Sequence, residues 1–255
     1  MKSHINKKYD LNELFFRSID SPEKAYFLGL MMSDGTVNDR SIVITLQEKD
    51  ISILIKLRNL IEYTGPVSKR IIANENHQNI CTLRIYSREL VKDLIDLGCN
   101  RRKTYNMSFP KIDPIYYSHF IRGYFDGDGC IIKKNIGYYF SITGNRQFLH
   151  ELNSILEQDV NIDPCKISRK NKSSELFGAI QYTKNSDLIK LRNYLYKNCN
   201  NLYIERKYDK FFEIEEKLPK VCKICSKPHE AKGYCKTCYH REVFYKKKIL
   251  TQESS

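Results

Sequence analysis

The chain has 255 residues, enough for one large core or for two related halves with a small added module. Its 43 Lys and Arg against 30 Asp and Glu leave a net charge of +13, which favours a polyanionic partner, nucleic acid before any other. No apolar run approaches the roughly 20 residues of a membrane span, MKSHINKKYDLNELFF lacks a signal-peptide core, and Cys81, Cys99, Cys130, Cys165 and Cys199 are scattered like reduced thiols rather than set as a disulfide framework. The expectation is a soluble, intracellular (cytoplasmic) protein.

In chain order, Ser21, Pro22 and Glu23 form a helix start, and the apolar run AYFLGLMMSDG follows to Asp34 and Gly35. Two short strands are predicted in GTVNDRSIVITLQ, an amphipathic helix in DISILIKLRNLIEYTG, a strand pair ending in CTLRIYS, and a helix in RELVKDLIDLGCNRRKT. Asp113 and Pro114 then start a second apolar helix, HFIRGYFDGDG, which ends in Asp128 and Gly129. Strands in GCIIKKNIGYYFSIT, turned at Asn-Ile-Gly, come next, followed by a helix in NRQFLHELNSILEQDV, a strand pair ending in FGAIQYT, and a helix in SDLIKLRNYLYKNCNNLYIERK. The order helix, two strands, helix, two strands, helix runs twice, an internal duplication of about a hundred residues that suits a pseudo-twofold α+β pair.

Gly29 and Ser33, and again Gly123 and Gly127, lie four residues apart and so share a helical face where backbones can approach. Glycine costs a helix interior ~1 kcal/mol relative to alanine, so the shared pattern argues that the two helices pack together and bring Asp34 near Asp128. Gly35 and Gly129 suit left-handed residues that end a helix. A carboxylate at the negative end of a helix dipole costs stability, and two such ends repel each other. Divalent cations remove the conflict, and oxygen-only ligands with room for water suit Mg²⁺. A calcium loop in DGDGC fails because Cys130 holds its third ligand position. Metals beside a phosphodiester support in-line displacement.

At FLGLMMSDG (27 to 35) and IRGYFDGDG (121 to 129) the sequence resembles the LAGLIDADG homing endonucleases in their single-chain, two-motif form, over roughly residues 20 to 215. The resemblance implies two pseudo-symmetric αββαββα halves whose saddle-shaped antiparallel sheets lie along the DNA major groove. It implies that the acid at the eighth motif position, Asp34 and Asp128 here, binds the catalytic metals. The sixth position is commonly acidic as well; Asp126 conforms and Met32 departs. Basic residues late in each half match Lys103 and Lys207, expected to position water or stabilise the phosphate, and Gln47 matches a polar active-site position more loosely. On the strands, Thr82, Arg84 and Tyr86 alternate with Leu83 and Ile85, so one face can meet DNA. Lys69, Arg70, Arg84, Lys133, Lys134, Arg169 and Lys170 are the expected DNA-binding residues, some holding phosphates and others reading bases.

Near the C-terminus, Cys222-x2-Cys225 and Cys235-x2-Cys238 have the spacing of a tetrahedral structural Zn²⁺ site. His229 and His240 are then surface residues, and the stretch CYHREVFYKKK is expected to be a basic helix that adds phosphate contacts, with EEKLPK (215 to 220) as linker. The organisation expected is a first half over 1-110, a second over 111-218, and a zinc finger with basic tail over 219-255. The function implied is a monomeric, site-specific double-strand DNA endonuclease that uses Mg²⁺ on a long asymmetric target and leaves short 3′ overhangs. A non-cleaving binder on the same scaffold, an intron RNA maturase or a transcriptional regulator, is the alternative. The abundance of Lys, Asn and Ile is in keeping with an AT-rich genome such as that of a phage.

Overall fold

Ser21 accepts a hydrogen bond from the Lys24 amide at 3.2 Å and Pro22 takes the first helical position, and from that cap α1 runs Pro22–Ser33. β1 (Gly35–Val37), β2 (Ser41–Gln47), α2 (Ile51–Leu60), β3 (Val67–Arg70), β4 (Ile80–Tyr86) and α3 (Arg88–Asp96) follow. The order repeats as α4 (Tyr117–Asp128), β5 (Gly129–Lys134), β6 (Gly137–Asn145), α5 (Arg146–Val160), β7 (Ser168–Arg169), β8 (Phe177–Tyr182) and α6 (Asn185–Tyr196). Then come α7 (Glu205–Glu216) and α8 (Lys236–Tyr239). The structure, a computed structural model, describes residues 8–72, 78–99, 107–135, 137–169, 176–216, 222–225, 227 and 233–241. It divides into two compact units, Met1–Phe212 and Glu213–Ser255.

Each half forms a four-stranded antiparallel sheet, ordered β1-β2-β4-β3 in the first and β5-β6-β8-β7 in the second, so the doubled α+β order expected from the sequence is the architecture. Register decides which side chains meet the helices. Ile42 pairs with Ile85 and Ile44 with Leu83, all buried, while Val43, Thr45, Thr82 and Arg84 turn to the other, open face. In the second half Ile142 pairs with Ile180 towards the core, and Ser141 with Gln181 on the open face. Residues Ala25 to Met32 of α1 and His119 to Asp126 of α4 are buried without a break. A helix buried all round belongs at the centre of a domain, and these two pack on each other there.

Three local expectations change. The helix expected to run on to Thr104 stops at Asp96, because Gly98 takes φ +97° and its amide and that of Cys99 bond back to Ile95 and Leu94. The helix expected through Lys207 breaks after Tyr196, where Asn198, Asn200 and Asn201 are left-handed, a conformation asparagine tolerates, and α7 then starts afresh. Gly35 and Gly129 are not left-handed caps. Each opens a strand, and a side chain there would collide with Met31 in one case and Phe125 in the other.

Candidate nucleic-acid interface and metal centres

The two motif helices touch through their backbones. A Cβ at Gly29 would stand 2.7 Å from the Tyr124 amide nitrogen, and one at Gly123 would stand 2.8 Å from the Tyr26 carbonyl carbon. At Gly127 it would meet Ser33 Cβ at 2.5 Å and the Asp34 carboxyl carbon at 3.2 Å. Gly127 immediately precedes Asp128, so the ends of α1 and α4 arrive together, and the side chains of Asp34 and Asp128 are both exposed there. The close approach is local and steric, which is why the small-residue spacing was readable.

Near both acids Tyr124 is buried, with its hydroxyl donating to the Thr143 carbonyl at 3.2 Å. Burial, then the Asp128 carboxylate, then that of Asp34, hold this phenol well above its ordinary range. Its proton therefore stays in place, and one hydroxyl lies in the field of both carboxylates. Thr143 Oγ1 in turn donates to the Asp128 carbonyl at 3.2 Å, pinning the helix end to β6.

Lys207 is buried and saturated: its ammonium donates to the carbonyls of Phe125, Asp126 and Gly129, each at 2.7 Å. It thus closes the C-terminal end of α4, the end that carries Asp128. Burial lowers its pKa to about 8 against the pull of Asp126, and the Asp34 carboxylate also reaches it. Asp126 is fully buried; its Oδ2 accepts from Tyr26 Oη at 2.8 Å and from the Ile204 amide at 2.9 Å. Burial raises its pKa to about 6 despite Lys207. Lys103 lies outside the described residues. Gln47 ends β2 on the open face, and its buried Oε1 has no partner among the described residues.

The described strands carry Lys69, Arg70, Arg84, Lys133, Lys134 and Arg169 and not one Asp or Glu. Register separates these cations. Arg84 pairs with Val43 and Arg70 with Ile80 on the open face. Lys69 pairs with buried Cys81, which turns it to the helix side, where it bonds Glu48 at 3.0 Å. Lys134 pairs with Gly137 and lies over the Tyr139 ring at 4.2 Å, whereas Lys133 pairs with buried Tyr138. Arg169 pairs with Gly178 at the sheet edge, and Lys170 lies outside the described residues. Arg40, which sequence reasoning missed, joins Arg84, Thr36, Asn38 and Val43, together with the acid Asp39, around an open hollow of about 690 Å³. It sits in a turn, where no alternation marks a face; Tyr124 was missed because an apolar stripe hides a tyrosine.

In the C-terminal unit the sulfur atoms of Cys222, Cys225, Cys235 and Cys238 lie within 4.8 Å of one another and could hold a metal ion. Cys225 and Cys235 are 3.5 Å apart, Cys238 and Cys225 3.6 Å. A tetrahedron with metal–sulfur bonds of about 2.3 Å has edges of about 3.8 Å, so the thiols fit such an ion. The two pairs are tied by Lys223 N bonding to the carbonyl of Gly233, which is left-handed at φ +88°. His240 is exposed, and His229 and most of the expected basic helix lie outside the described residues. No helix among the described residues is long and apolar enough to cross a membrane.

Residues 116–195 match the family model of a LAGLIDADG-like domain. No curated protein matches the sequence. Among solved structures, full-length DUF199/WhiA from Thermatoga maritima aligns at 17% identity with a TM-score of 0.53, over 95% of this chain and 73% of that one. The K262A mutant of I-SmaMI aligns at 16% identity and 0.51, over 77% and 90%; I-SmaMI is a LAGLIDADG homing endonuclease. At these identities it is the fold that is shared.

Proposed function

We propose that this chain, a two-half protein of LAGLIDADG fold, is a site-specific double-strand DNA endonuclease dependent on Mg²⁺ and leaving short 3′ overhangs. One observation carries the reading: two exposed carboxylates lie at the neighbouring ends of touching helices, at the head of two sheets whose described strands bear cations and no acids. A pure binder gains nothing from acids at two negative helix ends. Bound divalent metal would supply an activated water and charge stabilisation at the scissile phosphate. Asp34 and Asp128 would hold it, one for each strand. Tyr124 keeps its proton beside Asp128 while Thr143 holds the Asp128 backbone, and Lys207 offsets the helix end from beneath. Arg40, Arg70, Arg84 and Lys134 meet phosphates or base edges. Because the two open faces differ in sequence, a monomer reads a long asymmetric site. The four cysteines hold a structural Zn²⁺, and the basic tail adds phosphate contacts.

A non-cleaving nucleic-acid binder, maturase or regulator, is the second reading, favoured by the likeness to WhiA, which extends over more of the chain than that to I-SmaMI. A plasmid library with random inserts, incubated with the protein and Mg²⁺, separates the two. Linearised plasmids sharing one insert sequence are expected, and Asp34→Asn and Asp128→Asn should abolish linearisation while retaining binding. A protein that binds a sequence but cuts none, or variants that cut like wild type, would overturn the endonuclease reading.

A further inference from the structure

The acid at the centre of the buried polar seam comes from the second motif alone, although Tyr26 of α1 also donates to it at 2.8 Å. Aligning the motifs on Asp34 and Asp128 sets Ala25 against His119, Leu28 against Arg122, and Met32 against Asp126. In the second half Asp126 accepts the amide of Ile204, the residue before α7, as an N-cap side chain would. Three residues on, Lys207 returns to the carbonyls that end α4. Each helix closes the open end of the other. Arg122 secures the stretch between α6 and α7, donating to the carbonyls of Leu195 and Leu202, each at 2.7 Å. In the same first turn Arg206 bonds Asp50 of the first half at 3.1 Å, so the start of α7 is anchored on both sides. Met32, at the matching position of the first motif, carries no carboxylate.

We infer that Asp126 is a positioning residue for the Asp128 half-site alone: through Ile204 and Lys207 it fixes the end of α4, so its loss slows hydrolysis of one DNA strand and spares the other. The structural content stands by itself; the strand selectivity rests on the endonuclease reading. A general loss of folded protein lowers both strand rates together, so their ratio reports positioning and not stability.

The experiment uses Asp126→Asn, which keeps an oxygen for Tyr26 and Ile204 but removes the charge facing Lys207, and Asp126→Met, which copies the first half. On a supercoiled plasmid bearing the insert selected from the random library, both variants should accumulate nicked circles. Primer extension should place every nick in the same strand, the other strand being cut roughly 10- to 100-fold more slowly, the loss expected of an ångström-scale misplacement. Equal slowing of both strands, or no slowing, overturns the inference. Amide hydrogen exchange on the metal-free protein gives a second readout: residues 124–129 and 204–208 should lose protection in Asp126→Asn while 30–37 keep theirs. Unchanged protection at 124–129 and 204–208, or an equal loss at 30–37, overturns the lock. A wild-type protein that cuts neither strand refutes the endonuclease reading, and the exchange result still decides the lock.

Discussion

Gly29 lies against the backbone of Tyr124, so closely that a Cβ on the first would stand 2.7 Å from the amide nitrogen of the second. Nothing flexible lies in the way that could yield, so the two central helices would have to separate. Gly29→Ala should therefore cost on the order of 3 kcal/mol, as severe overpacking does. Gly98→Ala, where the residue is left-handed but faces open space, should cost only about 1 kcal/mol. Urea unfolding of the two variants checks the contrast; equal costs would mean that the helices do not touch as described.

What was legible in the sequence was local and periodic. Gly29 with Ser33 and Gly123 with Gly127 announced a helix pair, alternation in TLRIYS announced an open face, and two Cys-x2-Cys pairs announced a cluster of thiols. What was hidden depends on partners remote in sequence. Asp126 reads as a second motif acid, yet it is buried by Tyr26, a hundred residues earlier, and bonded to Ile204. Lys207 reads as a lysine that positions water or stabilises the phosphate, and nothing in the sequence shows that three carbonyls some eighty residues away take all its protons. Lys69 and Arg70 read as one basic pair, but a strand turns neighbours to opposite faces, and their register with β4 is not written in either residue.

Register likewise makes Arg84 and Lys69 unequal. Arg84→Ala removes a charge from the open face and should lower affinity for the selected duplex, with a drop of about 0.9 in the salt slope if it holds a phosphate. If it reads a base edge instead, the loss is about 1–3 kcal/mol and specificity relaxes at one position. Lys69→Ala, on the helix side and bonded to Glu48, should change neither by a comparable amount. Fluorescence anisotropy across a salt series measures both; a larger effect at Lys69 than at Arg84 would reverse the assignment of faces.

His119 should make the fold sensitive to mild acid. It is buried, and its Nδ1 lies 3.0 Å from Arg122 Nη1, which it accepts as the neutral imidazole. Burial first, then the Arg122 charge, lower its pKa from 6.5 to about 4, with Glu23 of α1 opposing them. Below pH 6.5 the unfolded chain takes up a proton that the folded chain refuses. Stability is thus unaffected by this group above pH 6.5 and falls as pH drops towards 4, by at most about 3 kcal/mol. His119→Asn keeps an acceptor for Arg122 and cannot be protonated there, so its urea midpoint should fall less between pH 7 and 4.5 than that of wild type. Parallel curves would show that another group carries the acid sensitivity.

Metal removal should separate the C-terminal unit from the rest. Among the described residues its buried cluster is Cys222, Cys235 and Cys238 with Tyr234 packed against them, far too little apolar surface to order the segment. A structural zinc supplies about 10–16 kcal/mol of folding free energy in such small units, so chelation withdraws nearly all that holds this one. The core over Met1–Phe212 draws on its own buried helices and sheets and should melt as before. Cys235→Ala should reduce bound zinc from about one per chain to a small fraction and open residues 222–241 to proteolysis, whereas Cys130→Ser, at an exposed thiol outside the cluster, should leave the metal in place. Elemental analysis together with limited proteolysis reads both outcomes. Full metal content in Cys235→Ala, or a core that melts early when the metal is stripped, would contradict this division of labour.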